Sequence, residues 1–258
     1  EENKAFLANP PEGKDLVRWK YQRYMRNYLR CVAGVDRNVG RVLDRLDEMG
    51  LAENTMVVYC ADQGFYLGEH GWFDKRWAYE ESMKMPFIVR WPGKVKAGTR
   101  AKAMVQNIDY APTILDAAGL KPDWKVHGIS FLPILTNGGV QPNNWRDTLY
   151  YRYIDGGHGV AKHSAIRTES LKLLHFDSPR TPIEMENRWE LFDLSKDPQE
   201  MKNLAKEDSY ASELEMMKAR FIKTKEFYGD TDESIWNAPV RKQYPSDVLI
   251  RSLRRPRR

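Results

Sequence analysis

The sequence predicts an α/β fold followed by a small antiparallel α+β unit, and three features carry that expectation. A long helical pattern over Val17–Met49 runs, after a short connection, into an apolar strand at 55–60, the rhythm of α/β folds. A second short strand, Phe87-Ile88-Val89-Arg90, is closed by Trp91-Pro92-Gly93. Beyond Asn137-Gly138-Gly139 the chain turns into short, aromatic, spaced strand candidates.

Residues 1–16 read as a loop, with Asn9-Pro10-Pro11-Glu12-Gly13 as breakers. In the long helix Leu29, Val32, Val35, Val39, Val42, Leu43 and Leu46 recur at three- and four-residue steps. Arg37, Arg41, Asp44 and Arg45 take the other face, and Gly50 ends the helix as its C′ glycine. Asp109–Ala118 reads as a helix with Pro112 in its first turn and Gly119 as its stop. Gly128–Leu135 is a short apolar segment. Strands follow at Leu149–Tyr153, Ser164–Thr168, Leu171–Phe176 and Trp189–Asp193, forming a small antiparallel sheet. A turn at Asp193–Pro198 and an amphipathic helix at Ser212–Phe227 close the unit. The expected domains are 1–136, 145–230 and an extended basic tail at 231–258.

A hydrophobic content of 41% is enough for a core, although a mean hydropathy of −0.67 and 30% charged residues make the chain polar overall. No apolar run reaches the roughly 18 residues of a membrane helix. Glu1-Glu2-Asn3-Lys4 opens on charges, unlike a signal peptide. Two cysteines make no disulfide framework, and Cys31 and Cys60 read as small buried hydrophobes. The net charge is +5, and five arginines sit in the tail Arg251–Arg258. The tail reads as a solvated terminus; no zinc spacing, RNA-binding motif or phosphate-cradling glycine loop accompanies it, so no nucleic-acid partner is expected.

The chemistry concentrates at 59–75. Thr55-Met56-Val57-Val58-Tyr59-Cys60 reads as a buried strand ending at Asp62-Gln63-Gly64. Ligands and metals in open α/β sheets sit beyond the carboxyl ends of strands. A carboxylate and an amide carbonyl there suit a hard cation such as Ca²⁺. Glu69, His70 and Lys75 follow on a glycine-bounded loop, and a lysine among oxygen ligands points to an anionic substrate.

Asp62-Gln63-Gly64, then Gly68-Glu69-His70-Gly71, then Lys75, then Tyr79-Glu80-Glu81-Ser82 leading to Pro86 and Trp91-Pro92-Gly93, form an ordered series. It resembles the second half of the sulfatase family, in the alkaline-phosphatase-like superfamily, over about Asp15 to Leu204. The resemblance is strongest to bacterial sulfatases of sulfated carbohydrates, related to N-sulfoglucosamine sulfohydrolase and N-acetylglucosamine-6-sulfatase. It implies a mixed sheet flanked by helices over 1–136, the C-terminal portion of a catalytic domain. The segment at 128–135 is helical in the family, and a small C-terminal domain packs at 145–230.

The resemblance also implies roles. Asp62 and Gln63 match the second half of the family's Ca²⁺ site, where many relatives carry Asn or His in place of Gln63. Lys75, 13 residues after Asp62, matches the lysine that contacts the sulfate. His70 is expected at substrate, as are His163 and Arg167, which resemble a His-x-x-x-Arg-Thr segment brought to the pocket by the C-terminal domain. Trp72, Phe73, Trp77 and Tyr79 are expected in the core around the loop, with sugar-stacking walls as the alternative. His127, His158 and His175 read as structural or exposed, and Asp109 as a buried or capping acid.

The family nucleophile is a formylglycine made from Cys or Ser in a Cys/Ser-x-Pro-x-Arg motif. Neither Cys31 nor Cys60 has Pro and Arg at the required places. The chain is therefore expected to be the C-terminal part of a longer, exported (periplasmic or secreted) sulfuric ester hydrolase, and to be incomplete and inactive alone. Alternatives are a phosphonate or phosphodiester hydrolase of the same superfamily, and a non-catalytic glycan-binding remnant.

Overall fold

The computed structural model describes residues 2–155, 160–176 and 188–231, so the expected basic tail and His158 lie outside the described residues. It divides into two compact units, Glu1–Cys60 with Phe65–Asp74 and Pro86–Gly98, and Ala61–Gly64 with Lys75–Met85 and Thr99–Arg258.

The first unit opens with α1 (Glu2–Ala8), where the sequence reading expected a loop; Phe6 stacks on Trp19 of the next helix at 4.0 Å, a contact that local propensity does not encode. Helix α2 spans Gly13–Glu48, and Gly50, in the left-handed region at φ +66, is its C′ residue as expected. Strand β1 (Val57–Cys60) follows. Short strands β2 (Tyr66–Leu67) and β3 (Phe73–Asp74) pair antiparallel around the Gly-Glu-His-Gly turn. Tyr24 and Tyr28 of α2 face this loop, with ring centroids 4.8 Å from Phe73 and 6.0 Å from Phe65.

In the second unit the single-turn α3 (Glu80–Met83) sits in the segment after Lys75. Back in the first unit, β4 (Phe87–Arg90) pairs antiparallel with β1, Val57 opposite Arg90 and Cys60 opposite Phe87. The expectation of a buried β1 is not met: Val58 and Tyr59 are 37% and 38% exposed, and Ile88 across the ladder is 62% exposed. The apolar stripe of α2 is exposed too, at Leu29, Val32, Val35 and Val42, and none of the helix's described residues is buried. Cys31 and Cys60 are exposed rather than buried. The physical reason is common to all: the pattern encodes apolar faces, but burial needs a second layer over them, and the described residues of this unit supply none.

The second unit continues through α4 (Tyr110–Ala117), preceded by a 3-10 turn at Asn107–Asp109, and α5 (Leu132–Thr136). Strands β5 (Leu149–Tyr153), β6 (His163–Arg167), β7 (Leu171–Phe176) and β8 (Arg188–Asp193) form one antiparallel meander. Helix α6 (Ala211–Tyr228) ends at Gly229, left-handed at φ +67. The α/β class, the four-stranded sheet and the closing helix accord with the sequence reading.

Period-two alternation gives this sheet two different faces. One carries Ile166, Leu171, Leu173 and Leu191, which pack with Leu204 and with Met217 and Phe221 of α6. The other carries Tyr151, His163, Arg167, Lys172, Phe176, Glu190 and Phe192, and is covered by the Trp77–Glu80 segment. Trp77 meets His163 and Phe176 at 5.4 and 5.8 Å, and Tyr79 meets Phe192 edge-on at 5.7 Å. Trp77 and Tyr79 are buried, as the core reading expected, whereas Phe73 is 56% exposed. Asp109 is fully buried: it caps the Gln106 and Ile129 amides and forms a two-point pair with Arg146.

Leu173 lies at the centre of the α6 face with no exposed surface. Leu173→Ala is expected to destabilise the protein by about 2–5 kcal/mol through lost burial and the cavity left behind. Chemical denaturation monitored by Trp fluorescence checks it.

Candidate functional site

The candidate site is built at the end of β1, where Ala61–Gly64 leaves the strand. Gly64 is required by space rather than by φ. A Cβ at this position would stand 2.0 Å from the Glu81 carbonyl oxygen and 2.6 Å from that of Lys84. The close approach lets the Gly64 N–H donate to the Ser82 carbonyl at 2.8 Å. The Ser82 hydroxyl oxygen in turn accepts the Arg76 N–H at 2.9 Å. One buried serine thus ties the Asp62-Gln63-Gly64 turn to the Lys75-Arg76 turn.

Asp62 is exposed, while Gln63 and Lys75 are half-buried. Among the described residues their side chains have no hydrogen-bond or ion-pair partner. The local result is a carboxylate, an amide carbonyl and an ammonium, with backbones fixed and polar groups uncommitted. Oxygen donors of this kind fit Ca²⁺ in type, but two residues fall short of the six to eight oxygens that ion takes. Consistently, no group of three or more His, Cys, Asp or Glu suited to a metal occurs among the described residues.

Around Lys75 the backbone is unusual. Arg76 has φ +102, a region L residues rarely adopt. Its N–H is held by Ser82, and its carbonyl accepts the Tyr151 hydroxyl at 2.8 Å. Two residues on, the Ala78 N–H donates to His163 Nε2 at 3.1 Å.

The sequence reading expected His163 and Arg167 at substrate; the structure gives both other neighbours. His163 is fully buried, with Nδ1 at 2.7 Å from the Ala161 carbonyl. These two bonds select the neutral tautomer that donates from Nδ1 and accepts at Nε2. Burial holds its pKa down at about 4, outweighing the Ala161 bond. Arg167 donates from Nε to Glu80 Oε1 at 3.1 Å. Glu80 also meets Lys172 Nζ at 2.8 Å, and Lys172 meets Glu200 at 2.8 Å. Burial acts to raise the Glu80 carboxyl, but Lys172 and Arg167 prevail and hold it below its ordinary value. Both residues thus back the turn after Lys75 from the sheet; the alternating pattern was visible in the sequence, but which segment covers that face was not. The sequence reading also missed Ser82 and Tyr151, whose roles depend on tertiary contacts that no local pattern announces.

His70 belongs to the first unit. It is half-buried in the left-handed region at φ +54, its ring 6.0 Å from Tyr66 and 5.8 Å from Trp72. His127 is exposed and edge-on to Tyr228 at 5.3 Å, and His175 stacks on Trp189 at 3.9 Å, both as expected.

Two outcomes follow from this geometry. Gly64→Ala is expected to cost about 1–3 kcal/mol or more, because backbone carbonyls rather than flexible side chains oppose the new methyl; thermal unfolding checks it. His163 stays neutral in the fold, so its contribution is complete above pH 6.5 and is lost as pH falls from 6.5 toward 4, by on the order of 3 kcal/mol. His175, lowered to about 4 by burial and then by Lys225 and Lys218, acts with the same sign, while Glu200, raised by burial, opposes it. Urea midpoints between pH 7.5 and 4.5 should fall, and fall less steeply in His163→Gln.

Residues 68–226 match the family described as N-sulphoglucosamine sulphohydrolase, C-terminal, and residues 2–120 match the family described as sulfatase. Over 223 residues the chain is 43% identical to an N-acetylglucosamine-6-O-sulfatase of Bacteroides thetaiotaomicron, covering 86% of this chain and 39% of that protein. A solved structure in complex with its substrate D-glucosamine-2-N,6-O-disulfate superposes with a TM-score of 0.83 at 40% identity, covering 93% of this chain and 47% of the other. A phosphonate monoester hydrolase of Agrobacterium radiobacter follows at 26% identity and a TM-score of 0.65, covering 74% and 39%. The chain spans less than half the length of each of these three proteins. With the first of the two matches extending over more than half of its residues, the chain belongs to the family described as N-sulphoglucosamine sulphohydrolase, C-terminal, and its N-terminal part matches the sulfatase model.

Proposed function

We propose that this chain contributes part of the active site of a sulfuric ester hydrolase acting on a sulfated carbohydrate. The observation that carries the reading is the Ser82 tie. It brings a strand-end carboxylate and amide into the same local structure as a lysine without an ion-pair partner among the described residues. Similarity to a protein holding a glucosamine disulfate supports the substrate class.

In this reading Asp62 and Gln63 hold Ca²⁺, with further ligands from outside these 258 residues. The cation would supply neutralisation of the sulfate oxygens. Lys75 directs its ammonium at the sulfate and stabilises the charge that builds on oxygen as the S–O bond breaks. His70 binds substrate from the Gly-Glu-His-Gly turn. The formylglycine nucleophile would also come from outside these residues. His163 and Arg167 act from behind rather than on the sugar. The domain reading (1–136 catalytic, 145–230 C-terminal, 231–258 tail) is part of the proposal, as is a periplasmic or secreted location. No helix among the described residues is long and apolar enough to cross a membrane.

A phosphonate monoester hydrolase is the second reading, favoured by the 26% identity to one, since the same oxygen donors and lysine suit a phosphonate anion. A non-catalytic glycan-binding remnant is the third. The test uses the complete gene product with Ca²⁺, glucosamine 6-sulfate and a phosphonate monoester. Asp62→Ala should lose bound metal by atomic emission, and Lys75→Ala should lower sulfate turnover roughly 10²–10³-fold. Faster phosphonate turnover selects the second reading, and no turnover of either ester selects the third. Wild-type sulfatase activity in both variants, with unchanged metal content, would reject the residue assignments.

A further inference from the structure

The turn that carries Lys75 is held in a conformation it would not choose alone. Arg76, a non-glycine residue, sits at φ +102, and strain of this kind persists only where the surroundings over-determine it. Here both polar groups of the strained residue are taken. Its N–H donates to Ser82 Oγ, and its carbonyl accepts from Tyr151 Oη. The next turn is fixed by the Ala78 N–H on His163 Nε2, with Trp77 stacked over the same ring at 5.4 Å. Beyond that, Tyr79 Oη donates to Glu190 at 2.6 Å and the Glu80 N–H donates to Glu200 at 2.6 Å. The chain is thus gripped repeatedly between Arg76 and Glu80, while the Lys75 ammonium is left without a partner among the described residues. The grip does not titrate away under working conditions. Burial pushes the Tyr151 phenol up to about 12, so the hydroxyl keeps the proton it donates.

We propose that Tyr151 and Ser82 are positioning residues for Lys75: by holding the peptide groups on either side of the strained Arg76 Cα, they aim the ammonium at the anion and keep it there. This rests on the reading of Lys75 as the sulfate-contacting residue. The C-terminal sheet is then part of the catalytic apparatus through its backbone grip, without any of its side chains touching the sulfate.

The experiment is a double-mutant cycle in the complete gene product with Ca²⁺ and glucosamine 6-sulfate. It combines Tyr151→Phe with Lys75→Ala, uses Ser82→Ala as an independent break on the N–H side, and adds hydrogen–deuterium exchange of residues 75–80. Tyr151→Phe should lower kcat roughly 10- to 100-fold, the scale of a small misplacement of a reacting group. KM should stay within about twofold, as for an interaction made chiefly in the transition state. Amides 76–78 should exchange faster, and metal content should not change. On top of Lys75→Ala, Tyr151→Phe should add no further loss. An undiminished loss in the Lys75→Ala background, or unchanged exchange at 76–78, overturns the proposal. If Lys75→Ala alone keeps full turnover, the assignment of Lys75 itself fails. The exchange data separate that outcome from a failure of the grip.

Discussion

The approach of Gly64 to the Glu81–Ser82 backbone is the constraint on which the candidate site depends. Ser82 is buried, and its two oxygens take two amide protons from chain segments 12 residues apart, Gly64 on the carbonyl and Arg76 on the hydroxyl. Neither bond is strong by itself, each worth about 1 kcal/mol net. Their effect is geometric. They turn a strand end and a loop into one rigid piece, from which Asp62, Gln63 and Lys75 project with uncommitted polar groups. A side chain at position 64 would force the two segments apart, which explains why the third residue of the Asp-Gln-Gly triplet has to be glycine.

The sheet of β5–β8 extends this piece. Its α6 face is an ordinary hydrophobic core, while its other face mixes aromatic rings with charge. Lys172 is 1% exposed and Glu200 is 3% exposed, conditions in which an unpaired charge would be expensive. The cluster avoids that cost by alternation: Arg167, Glu80, Lys172 and Glu200 run as cation, anion, cation, anion. Glu200 itself sits at φ +55, and its carboxylate accepts the Glu80 N–H as well as meeting Lys172. Such a network contributes modestly to stability compared with a hydrophobic packing of equal volume. What it supplies is direction, because an ion pair fixes α3 at one register on the sheet where an apolar contact would tolerate sliding.

Much of this was legible in the sequence, for physical reasons that differ from element to element. Strands β5–β8 and helix α6 announced themselves through aromatic and β-branched runs at period two and an apolar stripe at three- and four-residue steps. Gly50 and Gly119 marked helix ends because left-handed backbone favours glycine. The Asp62-Gln63 turn was found because polar residues at a strand end are conspicuous. Burial was legible only where the covering layer is present. Cys31, Val58 and Val32, Val35 and Val42 of α2 have the chemistry of a core, yet they are exposed because nothing among the described residues of that unit lies over them. His163 and Arg167 show the complementary limit. Their spacing is a pattern, but a histidine and an arginine on one sheet face serve equally well to meet a sugar or to hold a neighbouring backbone. The partners that the structure gives them, the Ala78 amide and the Glu80 carboxylate, lie more than 80 residues earlier in the chain, where no local pattern announces them.

The division of labour between the two ends of the Lys75 segment accounts for where strain is tolerated. On the proposed reading, a lysine that presents its charge to a singly charged sulfate ester gains nothing from being bonded to the protein at its ammonium, since such a bond would have to break before substrate binds. Its precision has to come from the backbone. Backbone precision in a loop is costly in conformational entropy, on the order of 1–2 kcal/mol per residue fixed, and the hydrogen bonds of Arg76, Ala78 and Glu80 are what offset it. Ser82, His163 and Glu200 are buried and Tyr151 is half-buried, so the order of their surroundings is transmitted to a half-buried turn. If Lys75 meets the sulfate as proposed, the hydrogen bonds of Tyr151 and His163 from the sheet would serve its aim: without them the lysine would keep its charge but lose its direction.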